Sequence, residues 1–172
     1  MGRNIKPRGF IVESQDVGTG RGMSNERQTA EVLPLVGEVN ELLARVYPEL
    51  NAQLGSYEAV DVFPGGCTVR LNADERHLRP GGTVSGPSLF TLADIGGYVC
   101  VLSHAGPNAL SVTTNLNINF VRKAEAGPID GHCRILKLGK SLLVFDIDIV
   151  AGPDKHTVAH ATGTYSIPPK RG

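Results

Sequence analysis

The chain has 172 residues, which suits one domain with a sizeable core rather than two. Its 41% apolar and 20% charged content is that of a globular protein. Seventeen basic residues balance seventeen acidic ones, which argues against a partner held by bulk electrostatics, whether nucleic acid or an anionic membrane.

Residues 1–27 are rich in Gly, Arg and polar residues, and the run GTGRGMSNER has no periodicity. They read as a disordered extension ahead of a single domain spanning 28–172. Residues 1–22 are expected to be dispensable, with Met23 as an alternative start. The stretch lacks the apolar segment of a secretory signal, and Lys6 stands where a myristoylation signal needs Ser or Thr. In AEVLPLVGEVNELLARVYP, Val32, Leu35, Val36, Val39, Leu42, Leu43 and Val46 recur at helical spacing and predict an amphipathic helix. Pro34 is tolerable in its first turn, and Pro48 stops it after Tyr47.

The segment YEAVDVF-PGG-CTVRLN predicts a hairpin turning at Pro64-Gly65-Gly66. GTVSGPSLFTLADIGGYVC, residues 82–100, predicts a glycine turn running into a helix that is apolar nearly all round. Ser85 is its N-cap and Pro87 lies in its first turn. SVTTNLNINFV then alternates, with Val112, Thr114, Leu116, Ile118 and Phe120 on one face and Thr113, Asn115, Asn117 and Asn119 on the other. Three further strands follow, turning at Gly139-Lys140 and at Gly152-Pro153-Asp154-Lys155. Strands joined by tight turns give an antiparallel sheet and the α+β class, and only the sheet is large enough to enclose the apolar helix.

Asp94 is the only charged residue between Gly82 and Ser103. Aspartate is a poor helix-interior residue, and an unpaired buried carboxylate is costly. One reading is a polar stripe of Ser88, Thr91, Asp94 and Tyr98 facing water. The other is a carboxylate delivered to a site, with free N–H groups near Gly86 binding a developing oxyanion. Gly96 and Gly97, each costly inside a helix, point to close approach by another backbone.

Other motifs fail. Gly139-Lys140-Ser141 lacks the leading glycine of a phosphate-binding loop, and no G-x-S-x-G elbow occurs. His156 and His160 would lie too far apart along a strand to share a metal. Cys67, Cys100 and Cys133 are odd in number and widely spaced, with neither a disulfide nor a zinc-ligand pattern. A reducing cytoplasm is therefore the expected compartment, and no metal or cofactor is expected.

The run HLRPGGTVSGPSLFTLADIGGYVCVLSHAGPNALSVTTNLNINFVRKA resembles the hotdog-fold thioesterases, in particular the phenylacetate-degradation (PaaI-like) branch. The resemblance covers residues 58–167. It rests most specifically on G-T-V-x-G at the helix start, L-A-D within the helix, and V-T-x-x-L-N-I-N-F in the strand. It implies a hotdog fold, an antiparallel sheet wrapped around a long central helix, here with an extra N-terminal amphipathic helix. It implies hydrolysis of an acyl-CoA thioester, with the Gly86 amide as oxyanion donor and Asp94 as nucleophile or general base. Thr113 matches a Ser or Thr contributed by the neighbouring subunit, in homodimers or homotetramers whose active sites lie between two hotdogs.

Two departures stand out. The family's His-Gly-Gly at the helix start is here Ser85-Gly86-Pro87, and Arg79 replaces a residue that is commonly Asn. Both Arg79 and Ser85 are expected to border the substrate, although Arg79 could instead pair with Asp94 and quench it. Lys137 and Lys140 are the expected contacts for the coenzyme A phosphates. The alternative activity is non-catalytic binding of acyl groups or acyl-CoA. A hotdog dehydratase is disfavoured, because no histidine stands at the helix start.

Overall fold

The computed structural model describes residues 33–53, 56–107 and 109–169; the N-terminal extension lies outside them. Helix α1 (Val36–Val46) buries Val39 and Leu43, with Val36, Leu42 and Val46 packed beside them, as the spacing predicts, whereas Leu35, expected on the same stripe, is the exposed N-cap residue, and Val32 lies outside the described residues. The Glu38 carboxylate accepts from the Leu35 N–H at 2.8 Å and closes the first turn. Pro34 thus lies just before the helix rather than in its first turn. Pro48 does more than stop α1. It opens the short helix α2 (Pro48–Gln53), where a missing N–H and a fixed φ cost nothing.

The hairpin is β1 (Tyr57–Phe63) and β2 (Gly66–Ala73). A small ribbon, β3 (Leu78–Arg79) and β4 (Thr83–Val84), leads into the long helix α3 (Gly86–His104). Strands β5 (Val112–Phe120), β6 (Gly127–Leu138), β7 (Leu142–Ala151) and β8 (His156–Ser166) follow. The six-stranded sheet runs β1-β2-β6-β7-β8-β5, with every neighbouring pair antiparallel. α3 lies in its concave face, in the hotdog arrangement. The Asn40 amide bonds both backbone groups of Ala59, at 2.9 and 2.8 Å, which ties α1 to the edge strand β1.

Leu143, Phe145, Ile147 and Ile149 alternate along β7 and are wholly buried against α3. Their packing explains the mid-helix glycines, through side chains rather than the backbone approach expected from sequence. A Cβ at Gly97 would meet the Phe145 ring at 2.5 Å, and one at Gly96 would meet Ile147 Cδ1 at 2.6 Å. Gly163 of β8 makes equal room for the Phe145 ring. A glycine costs about 1 kcal/mol in a helix, whereas overpacking a tight core costs about 1–3 kcal/mol. Glycine wins. The three cysteines, far apart in sequence, meet at one point of this same interface, so the spacing argument concealed a cluster.

Strand β5 departs from strict alternation. Its pairing with β8 slips between Thr113 and Asn115, leaving Thr114 as a bulge whose hydroxyl bonds the Thr164 carbonyl at 3.2 Å. The extra residue turns Thr113 toward α3, on the side of Leu116, Ile118 and Phe120, rather than with Asn115, Asn117 and Asn119.

Candidate active site

Two small pockets open along α3, and they share no residue. The first surrounds Asp94 with Val46, Tyr47, Tyr98, Ser111, Thr113 and Tyr165, and holds about 350 Å³. Asp94 is half-buried there. The re-aimed Thr113 donates its hydroxyl to Asp94 Oδ1 at 2.5 Å, and the Tyr165 hydroxyl lies 2.8 Å from the same oxygen. Tyr165 also reaches the Asp94 carbonyl oxygen at 3.0 Å, so it fixes both the backbone and the side chain of that turn. Both hydroxyls fall on Oδ1. Among the described residues Oδ2 has no partner, and the carboxylate keeps one oxygen free in the pocket.

Burial first, and the Asp94 charge second, push the Tyr165 hydroxyl far above the ordinary tyrosine range. It therefore stays protonated and acts as a permanent donor. Tyr98 stacks on Tyr165 with ring centroids 5.9 Å apart and bonds the Ala109 carbonyl at 3.2 Å. The polar-stripe reading of α3 thus fails: Tyr98 is buried, and Ser88 bonds the His77 carbonyl at 3.3 Å.

The second pocket, about 400 Å³, lies at the start of α3 and is lined by Arg79, Thr83, Gly86, Phe120, Arg122 and Lys123, among others. Ser85 caps the helix as expected, its Oγ accepting from the Ser88 N–H at 3.3 Å and lying 2.8 Å from Ser88 Oγ. That hydroxyl is spent on the cap. Pro87 has no N–H, and the Gly86 N–H, in the first turn, has no partner among the described residues. A Cβ at Gly86 would sit 3.3 Å from the Phe120 ring, so glycine keeps the approach to this N–H open. The loop before it is held by His77, which is 1% exposed, bonds Asp74 at 3.0 Å, and offers its carbonyl to the Ser85 N–H at 2.8 Å.

Gly86 and Asp94 are eight residues apart on one helix, which puts about 12 Å between their Cα levels. One thioester carbonyl cannot touch both in a single chain. Thr113 reaches the Asp94 of its own chain, so within one chain it belongs to the Asp94 end of α3 and not to the Gly86 end. Arg79 is exposed beside Gly86 and makes no ion pair with Asp94 among the described residues. Lys137 and Lys140 are exposed on and after β6 and line neither pocket. His160 pairs with Asp148 at 2.7 Å, in keeping with a surface role. Tyr165 escaped the sequence reading, because a tyrosine alternating in the last strand looks like ordinary core.

Residues 81–158 match the family model described as the thioesterase superfamily. A candidate thioesterase from Silicibacter sp. TM1040 is 46% identical, its structure superposing with a TM-score of 0.70 over 78% of this chain and 92% of that one. A candidate esterase of Pseudomonas aeruginosa is 35% identical over 102 residues, 58% of this chain and 74% of the relative. The phenylacetic acid degradation protein PaaI of Thermus thermophilus, in a mutant form, superposes with a TM-score of 0.60 at 20% identity, covering 70% of this chain and 99% of that one. The last is a likeness of fold.

Proposed function

This chain belongs to the thioesterase superfamily, and from that premise we propose that it hydrolyses an acyl-coenzyme A thioester to the free acid and coenzyme A, at a site completed by two copies of the chain. The observation that carries the reading is the separation of the two half-sites on α3. One end offers an unpartnered N–H, the other a carboxylate with one oxygen free.

Strand β5 suggests how the halves meet. It is one of the two edges of the sheet, among the described residues no strand pairs with its outer side, and Val112 and Phe120 are 58% and 53% exposed. Two copies pairing β5 antiparallel about a twofold near Leu116 would set Val112 of one against Phe120 of the other, with Thr113 beside that pair. That pairing would bring the Asp94 pocket of one copy toward the Gly86 pocket of its partner.

In such a site the Gly86 N–H polarises the thioester carbonyl and binds the oxyanion as charge develops. The free Asp94 oxygen attacks the carbonyl carbon or takes a proton from an attacking water. Thr113 and Tyr165 hold the other oxygen and fix the angle of approach. The thiolate leaves readily, so a second strong oxyanion donor is dispensable, and Arg79 is placed to lend one. Arg79, Arg122 and Lys123 border the Gly86 pocket and suit the coenzyme A phosphates better than Lys137 and Lys140 do. Val46, Tyr47 and Tyr98 suit the acyl group.

The test is hydrolysis of a panel of short, long and aromatic acyl-CoAs by the parent and by Asp94→Asn. Turnover by the parent alone supports the reading. Binding without turnover by either form would make this a non-catalytic acyl-CoA module.

A further inference from the structure

Away from both pockets, three thiols converge. Cys67 of β2, Cys100 of α3 and Cys133 of β6 are each 0% exposed. Cys67 and Cys133 are cross-strand partners, and Cys100 descends between them from the helix. The Cys100 Sγ lies 3.5 Å from each of the other two, and all three sulfurs fall within 4.8 Å of one another. A single thiol in a core behaves as a small hydrophobe. Three whose sulfurs share one point make a ligand set.

We propose that Cys67, Cys100 and Cys133 form a preorganised site for one trivalent thiophilic ion, with arsenic(III) as the probe that fits it. The geometry comes first. With element–sulfur bonds of about 2.3 Å, typical of thiolate ligation, three sulfurs at angles between a right angle and the tetrahedral value lie about 3.3–3.8 Å apart. The two separations from Cys100, 3.5 Å each, already match, and the third, between Cys67 and Cys133, lies within 4.8 Å, so small side-chain rotations complete the set.

Charge decides the ion. The cluster's near surroundings include Val69, Ile147, Gly96 and Gly131, and an isolated charge in such a place is costly. Zinc on three thiolates keeps a net negative charge and needs a fourth ligand. Among the described residues, the metal-ligating side chains gathered here are these three alone. A trivalent element on three thiolates is neutral and complete. Arsenous acid reacts with three thiols to give a tris-thiolate and three waters. Three S–H bonds and three As–OH bonds break, three As–S bonds form, each thiol proton leaves with a hydroxide, and nothing is oxidised or reduced.

Because the cluster is buried, binding requires local opening and should be slow at room temperature but quick just below the melting transition. The full chain, reduced with a phosphine, would be warmed with sodium arsenite and examined by native mass spectrometry and arsenic X-ray absorption. The expected result is one arsenic per chain with three hydrogens lost, three sulfurs around the arsenic, and a raised melting temperature. Cys100→Ala and Cys67→Ala should each lose the three-sulfur adduct. If either variant misfolds, the sulfur count in the parent still decides. No adduct, arsenic held by fewer than three sulfurs, or stabilisation by zinc but not arsenite would overturn the proposal.

Discussion

The two ends of α3 handle polar groups in opposite ways. At Asp94 the chain spends two hydroxyls on one carboxylate oxygen and builds a bulge to bring one of them there. At Gly86 it spends almost nothing: a bare N–H, a glycine that leaves room, and a proline that removes the next donor. The carboxylate end is rigid and dressed, and the amide end is open and plain. The contrast suits the proposed shared site, in which the reactive group has to be aimed while the oxyanion donor has only to be reachable.

Breaking the dressed end should have the largest effect. Asp94→Asn keeps shape but loses the charge, and turnover is expected to fall at least about a hundredfold with acyl-CoA affinity little changed, as steady-state kinetics and calorimetry would show. At the plain end, Gly86→Pro removes the N–H while suiting the first helical position, because Ser85 is already extended at φ −73° and ψ 151°. It is expected to lower kcat by about a hundredfold, as other single oxyanion donors do. An unchanged kcat would mean that the carbonyl is held elsewhere.

Tyr165→Phe should cost less, about tenfold in kcat, since Thr113 still holds Oδ1. The alkaline limb of the pH–rate profile should be the same in parent and variant, because burial keeps this hydroxyl protonated well beyond the working range. A limb that vanished with the hydroxyl would show that Tyr165 titrates during turnover.

A second carboxylate sharpens the comparison with the smallest effect on activity. Asp130 is 4% exposed, and Arg70 at 2.6 Å and Lys155 at 2.6 Å neutralise it, so no oxygen is left for chemistry. The Arg70 guanidinium foremost holds its carboxyl down at about 2. A depressed folded-state value means stability that is present above the unfolded value near 4 and lost as the pH falls toward about 2. The loss is of the order of 2 kcal/mol before screening of the partly exposed cations. Acid melting of Asp130→Asn should lack that component, with kcat at neutral pH near the parent's.

Much of this was legible in the sequence. The apolar girth of α3 and the tight turns between strands point to an antiparallel sheet enclosing one helix, because a helix apolar all round has to be covered. Asp94 was conspicuous for the same reason, as a charge where the pattern admits none. What stayed hidden depends on register and convergence. A single bulged residue moves Thr113 to the other face, and no local pattern announces it. Tyr165 and the three cysteines acquire meaning only when elements distant in sequence pack together. The separation of about 12 Å between Gly86 and Asp94 was implicit in helix rise, yet matters only once both residues are assigned to one carbonyl.

Mixing two crippled chains tests the shared site most directly. Asp94→Asn and Gly86→Pro subunits would be unfolded together in equal amounts, refolded and assayed. If each site takes Gly86 from one chain and Asp94 from the other, every mixed pair holds one intact site. Activity should then return to about a quarter of the parental value from two nearly inactive stocks. If each chain carries a whole site, no mixed pair contains an intact one, and the mixture will be as inactive as its components.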